Sequence, residues 1–450
     1  MHINSEVRCR IGCKCVLAVL FVTSCAIGPA HSFVRPAIAI KFSGRCKPNM
    51  EKLSLRSSSK VPQQGQKSKV IVVGGGVGGI AVAGRLARAR PDWDILVLEK
   101  NKHVGGRLDE LSFNGFRFDT GPSLLLAKDV YEDTFQALGS NLYNHVQLRR
   151  VEPAYMCFLA DNSNVSLTAD LHRMQEQLES LEEGSFSKYL EYMRESCINY
   201  VKGFSSRPFQ SKDNSLLDYI NLENLGLLAD FDPSNLFMSH EQRLKRFFAD
   251  PRLHQLLSFQ DLYIGLPPHR APAIFSLLQH LEIVEGVWYP VGGFQRLMLE
   301  MQQLVERAGV TIRTETSVAR IVLDPSSQRA RGVELASGDL LEADLVVSNV
   351  DLPATYAHLL PSDAPCLQGK AEQLAQFQYS SGIIAFYWSL SRTIPQLAHH
   401  TTFISPGGKE AWYTHYIPSY RRKAKRLGFL TICSLYRAFV YSVTHYFTIP

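Results

Sequence analysis

Three glycines at G-x-G-x-x-G spacing, Gly74, Gly76 and Gly79, and an acid further on, Glu99, are the residues of this chain whose spacing carries recognisable chemistry. The first glycine permits a tight turn, the second leaves the backbone open to a pyrophosphate, and the third lets a helix lie close on a sheet. A helix starting there aims free N–H groups and partial positive charge at phosphates. A carboxylate at the position of Glu99 accepts hydrogen bonds from a ribose diol. Together these residues read as a dinucleotide site.

Glycine clusters also make plain turns, so the flanking elements decide. Residues 70–73 are a β-branched apolar run, a buried parallel strand by pattern. A helical pattern follows over about 80–90, with Ile80, Val82, Ala83, Leu86 and Ala87 apolar, and residues 95–98 form a second strand that Glu99 closes. Strand, glycine turn, helix, strand and acid stand in the order the chemistry requires.

Directly after the acid comes HVGGR, residues 103–107, and then FDTGPS, residues 118–123. This stretch resembles the flavoprotein superfamily that contains amine oxidases and the carotenoid desaturases and isomerases. The resemblance implies FAD as cofactor and lays Gly105, Gly106 and Arg107 along its diphosphate and flavin. The block 250–294, ending in GVWYPVGGF, resembles the bacterial-type phytoene desaturases. There it implies helices over an elongated hydrophobic tunnel, and a turn that returns the chain to the cofactor domain. The same resemblance places the main chain of Val318 beside the adenine. It covers about 69–405.

The expected fold is α/β: a Rossmann-like FAD-binding domain over 67–145 and 286–375, with a discontinuous mixed α+β substrate-binding domain over 146–285 and 376–406. Helices are expected over 129–138, 171–183, from a cap at Ser185, over 271–281 and over 295–308. Strands are expected at 151–159, 165–167, 310–313, 318–323, 330–335, 340–348 and 383–390.

The 450 residues carry a net charge of +6, but residues 1–66 hold ten Lys/Arg against two Asp/Glu, a net of +8 that leaves −2 for the remainder. Arg8, Arg10 and Lys14 precede an apolar run over 16–27 that fits a signal-peptide core. A basic, serine-bearing segment opening at Phe33 follows. Residues 1–66 therefore read as a bipartite targeting segment, resembling the plastid address of algae with complex plastids; a plain secretory signal is the alternative. The basic balance belongs to that segment and does not imply nucleic-acid binding.

Five of the nine cysteines lie in that segment, and the other four, Cys157, Cys197, Cys366 and Cys433, are widely spaced. No disulfide framework or zinc site is implied. His399 and His400 are adjacent in an expected strand, where neighbours point to opposite faces, so no shared metal is expected. His254, His269 and His280 form no constellation. After about residue 407 the resemblance fades into a basic, aromatic tail over 407–450 that reads as out of family or membrane-facing. The family's closing Gly-rich turn at the flavin is not found there.

These readings converge on an FAD-dependent oxidoreductase that desaturates a carotenoid polyene such as phytoene, with peripheral membrane contact for substrate uptake. A carotenoid cis–trans isomerase and a truncated, non-catalytic flavin-fold protein are the alternatives. No residue is assigned as the catalytic base, and the number of desaturation steps and the oligomeric state are left open.

Overall fold

The computed structural model describes residues 67–113, 115–201, 231–367, 369–377, 385, 387, 394–404 and 441–444. Residues 1–66, expected to be a targeting segment, nearly all of the strand expected over 383–390, and most of the 407–450 tail lie outside them.

Strands β1 (Lys69–Val73), β2 (Asp94–Leu98), β9 (Thr311–Arg313) and β13 (Leu345–Ser348) form one parallel sheet in the order β13-β1-β2-β9. Both faces of β1 are buried, as a β-branched run with no polar alternation requires. Val70 and Val72 join one core, with Ile80, Ala83 and Leu86 of α1 (Val77–Ala89) and Leu297, Met301 and Leu304 of α7 (Phe294–Arg307). Ile71 and Val73 point the other way. They pack with Ile321 and Val333 of an antiparallel sheet made of β10 (Val318–Leu323), β11 (Ala330–Leu335) and β12 (Leu340–Glu342). Helix α2 (Lys128–Ala137) adds Phe135 to the first core. The result is a mixed α/β fold with a Rossmann-like centre and further β-sheets.

A second core draws on residues 151–287 and Ile404. Its sheet has the order β15-β14-β6-β7, from β6 (Tyr155–Phe158), β7 (Asn164–Leu167), β14 (His400–Phe403) and β15 (Tyr441–Thr444). Helices α3 (Leu171–Leu181), α4 (Ser185–Asn199), α5 (His240–Phe247) and α6 (Pro251–Leu256) cover it through Met174, Leu178, Tyr189, Tyr192, Leu244, Leu253 and Leu256. The chain passes between the two cores where β5 (Leu148–Arg150) pairs with β8 (Trp288–Pro290). A separate two-stranded hairpin is formed by β3 (Glu110–Phe113) and β4 (Phe116–Asp119).

Four sequence expectations need correction. The strand expected over 151–159 is only Tyr155–Phe158. Gly184, with φ 74°, caps α4; Ser185 is the first helical residue and its hydroxyl is buried without a partner among the described residues. The glycine takes a left-handed turn that a serine cap, with its extended backbone, does not provide. The run 340–348 is two strands in two sheets. It breaks at Asp344, whose backbone N–H donates to the Lys69 carbonyl at 2.9 Å and whose Oδ2 accepts from the Lys69 N–H at 2.8 Å. Past Pro272 the chain forms a 3-10 turn, a short α segment and a π turn (His280–Gly286) instead of one α-helix. Arg150 Nη2 donates to the carbonyls of Ile283 and Val284, taking groups that a regular helix end leaves open.

Candidate functional site

In the order β13-β1-β2-β9 the chain winds outward from β1 to β9, then returns to the opposite side of β1. Ligands of such sheets sit at the carboxyl ends, where the winding reverses. The turn after β1 and the segment after β13 meet at that point. A β-carbon on Gly76 would lie 3.1 Å from Asn349 Nδ2, and one on Gly79 would lie 2.0 Å from the Gly74 carbonyl oxygen. The second contact is impossible for any residue but glycine, so α1 starts directly on the turn. Its N-terminus has no side-chain cap, which leaves its first N–H groups to a ligand.

Gly105 and Gly106 lie against this turn. The Gly105 N–H donates to the Gly75 carbonyl at 2.9 Å, and a β-carbon on Gly106 would sit 3.4 Å from Gly76 Cα. The two glycine elements thus form one wall bare of side chains. Glu99 is only 4% exposed; its Oε2 accepts from the Gly75 N–H at 2.7 Å and its Oε1 from the Asn101 N–H at 2.8 Å. A carboxylate oxygen has more than one acceptor site, so a diol can still be bound there.

Arg107 projects into solvent and ion-pairs with Asp351 at 2.9 Å. Its guanidinium thus joins the Gly-Gly loop to the segment after β13. Val318 opens β10 opposite Leu335, with its side chain against the core behind the sheet. The segment just before it runs beside the acid: the Thr316 N–H donates to the Glu99 carbonyl at 2.8 Å and the Glu315 N–H to that of Asn101 at 2.9 Å.

From the crevice a polar line leads into the second core. A β-carbon on Gly121 would fall 1.9 Å from the Arg107 carbonyl oxygen, so this loop lies flat against the Gly-Gly-Arg element. Two residues on, the Ser123 hydroxyl meets His400 Nε2 at 3.1 Å. The His399 and His400 Nδ1 atoms are 3.0 Å apart. The rings meet because His399 lies in the bend before β14, which corrects the opposite-faces expectation. Burial, and then His399, hold the His400 imidazole well below the usual range, so it is neutral. Among the described residues no three His, Cys, Asp or Glu side chains group as metal ligands. His254 is tied to the Phe248 carbonyl at 2.9 Å, and His280 lies 3.6 Å from Glu285.

The His400 ring packs on Tyr155, centroids 5.7 Å apart. The Tyr155 hydroxyl bonds the Tyr263 hydroxyl and donates to Glu282 Oε1 at 3.1 Å. Glu282 is fully buried, and burial pushes its carboxyl up to about 7 despite the nearby Gln260, Tyr263 and Tyr155. Nearer the crevice, Asp119 accepts from the Tyr289 hydroxyl at 2.7 Å and from the Phe294 N–H at 3.0 Å. It fixes the aromatic-Pro-x-Gly-Gly turn to the start of α7. Burial raises its pKa.

Sequence reasoning missed Asn349, Asp351 and Glu282 as site residues. Asn349 and Asp351 enter only through the crossover that sets β13 beside β1. For Glu282 a weak signal existed, a lone acid between Leu281 and Ile283.

Fold and crevice have the form of an α/β nucleotide-cofactor site, and the bare glycine wall, uncapped helix and buried acid fit a dinucleotide. The family profile of flavin containing amine oxidoreductases matches residues 77–427. The chain is 38% identical over 357 residues to a phytoene desaturase of Cercospora nicotianae, covering 78% of this chain and 55% of that one. It is 35% identical over 345 residues to a phytoene desaturase of Phycomyces blakesleeanus, covering 76% and 58%. It is 33% identical over 345 residues to a 4,4'-diapolycopene oxygenase of a Methylomonas species, covering 76% and 67%. The chain spans 55% and 58% of the length of the two desaturases. This chain belongs to the flavin containing amine oxidoreductase family, and a flavin is the cofactor of that family.

Proposed function

We propose that this chain binds FAD and desaturates a carotenoid polyene such as phytoene. The observation that carries the reading is the 38% identity to a phytoene desaturase over 357 residues, 78% of this chain. Gly74, Gly76 and Gly79 receive the pyrophosphate with the N–H groups of α1, and Glu99 receives the ribose. Gly105 and Gly106 pass close under the cofactor, Arg107 and Asp351 border it, and the main chain at Val318 lies near the adenine. When bound, FAD supplies the two-electron redox chemistry.

This chain's own part is placement. A polyene has no charged handle, so recognition is burial of apolar surface, at about 25 cal/mol per Å². His400, neutral and held by Ser123, keeps a charge out of the region between crevice and second core. The substrate dissolves in lipid, which motivates peripheral membrane contact. No helix of the described residues is long and apolar enough to cross a membrane.

The test is purified chain with FAD and phytoene, followed by absorbance and product mass. Loss of paired hydrogens with a shift to longer wavelength supports desaturation. A second reading, oxidation at the polyene with gain of oxygen, is favoured by the 33% identity to the Methylomonas oxygenase. Isomer exchange at constant mass would identify an isomerase. Protein that releases no flavin on denaturation would be non-catalytic.

A further inference from the structure

Among the described residues five carboxyl groups are buried: Glu99, Asp119, Asp261, Glu282 and Glu300. Four have partners on both oxygens. Glu99 and Asp119 hold the contacts given above, both Asp261 oxygens meet His240 Nδ1, and Glu300 is shared by His145 and Arg296. Glu282 alone has an oxygen, Oε2, with no partner. The Gln260 amide beside it is also buried and favours the charged carboxyl, without a well-formed hydrogen bond. Glu282 Oε2 is thus the one buried carboxyl oxygen among the described residues left without a well-formed hydrogen bond.

The location narrows its role. Glu282 sits on the π turn, an element frequent at functional sites, inside the second core. The line Glu282, Tyr155, His400, Ser123 leads from it to the loop lying on Arg107. Other groups around it are poor bases. The Cys157 thiol and Tyr155 phenol are pushed well up by burial and stay protonated. His400 has both ring nitrogens engaged. Asp261 is consumed by His240, which in turn meets the Tyr192 hydroxyl at 2.8 Å. Arg150 reaches only carbonyls of the π turn, and Glu285 faces His280.

We propose that the Glu282 carboxylate, held on Oε1 by Tyr155 and free on Oε2, receives the proton that a polyene loses on desaturation. This rests on the desaturase reading. A bound oxidised flavin would supply the acceptor for the hydride, the electron pair of one C–H bond of the polyene leaving with that hydrogen. The neighbouring C–H bond gives its proton to Glu282 Oε2, and its electrons become the new C=C bond. Gln260 lies beside the carboxyl. The carboxyl titrates at about 7, so a good part is ionised at neutral pH.

The test uses the full chain. Infrared titration of the flavin-free protein should show a carboxyl C=O band lost on raising the pH through about 7, and Glu282→Gln should lack it. In anaerobic single turnover with phytoene in micelles, Glu282→Gln should reduce its flavin about 100-fold more slowly or worse, with flavin content unchanged. Tyr155→Phe removes a donor to the charged form, so it should move the acid limb of the rate profile to higher pH. Wild-type reduction rates in Glu282→Gln, an unmoved limb in Tyr155→Phe, or no titrating band would overturn the assignment. Wild-type protein that holds flavin but is never reduced by phytoene would overturn the desaturase reading as well, and does so before any substitution is made.

Discussion

The burial of Glu282 has a consequence for stability that needs no substrate. Its carboxyl is raised from 4.5 to about 7 in the folded chain because the charged form is desolvated. The folded state therefore holds this proton more tightly than the unfolded state. The stability this confers is complete below pH 4.5 and is lost as pH rises through about 7. That difference is worth roughly 3 kcal/mol, of which about 2–3 kcal/mol is lost between pH 5 and 8. Glu282→Gln keeps the size and the acceptor for Tyr155 and removes the titration. The variant should gain that much on wild type between pH 5 and 8, measured as the difference between their urea unfolding curves at each pH. Other titrating groups, His400 among them, are common to both proteins and cancel. A difference that stays flat with pH, or one that turns toward wild type as pH rises, would refute the argument.

Gly79→Val forces a β-carbon into the Gly74 carbonyl; the α1 start must move, and flavin retained after purification should fall to background. His240→Phe leaves the Asp261 carboxylate, fully buried, without its partner; unfolding should become easier by about 3–5 kcal/mol, read from denaturant midpoints. Arg107→Ala breaks only an exposed ion pair with Asp351, so stability should change by less than about 1 kcal/mol. Any loss of flavin affinity in that variant, measured by fluorescence titration, then reports contact with the cofactor and not folding.

How far the sequence carries depends on whether the cause is local. The Rossmann-like centre is legible because its demands fall on neighbouring residues: a β-branched run buried on both faces, then Gly79 where the helix meets the Gly74 carbonyl. Asn349 was illegible because only the crossover that sets β13 beside β1 brings it to Gly76. The cap at Ser185 failed because Gly184, one residue earlier, takes the left-handed turn. The histidine pair failed because strand periodicity was applied to His399, which precedes the strand. Glu282 looked like one acid in an apolar run; the burial that raises its pKa belongs to the folded core, and its neighbours Tyr155, Gln260 and Tyr263 come from β6 and the 259–264 turn, far away in sequence.

The most direct measurement is anaerobic mixing of the flavin-loaded chain with phytoene while the flavin absorption band is followed. The account predicts one FAD per chain, bleached by the polyene as a longer-wavelength carotenoid appears. A folded chain that holds no flavin, or holds it and leaves it oxidised before phytoene, would contradict it.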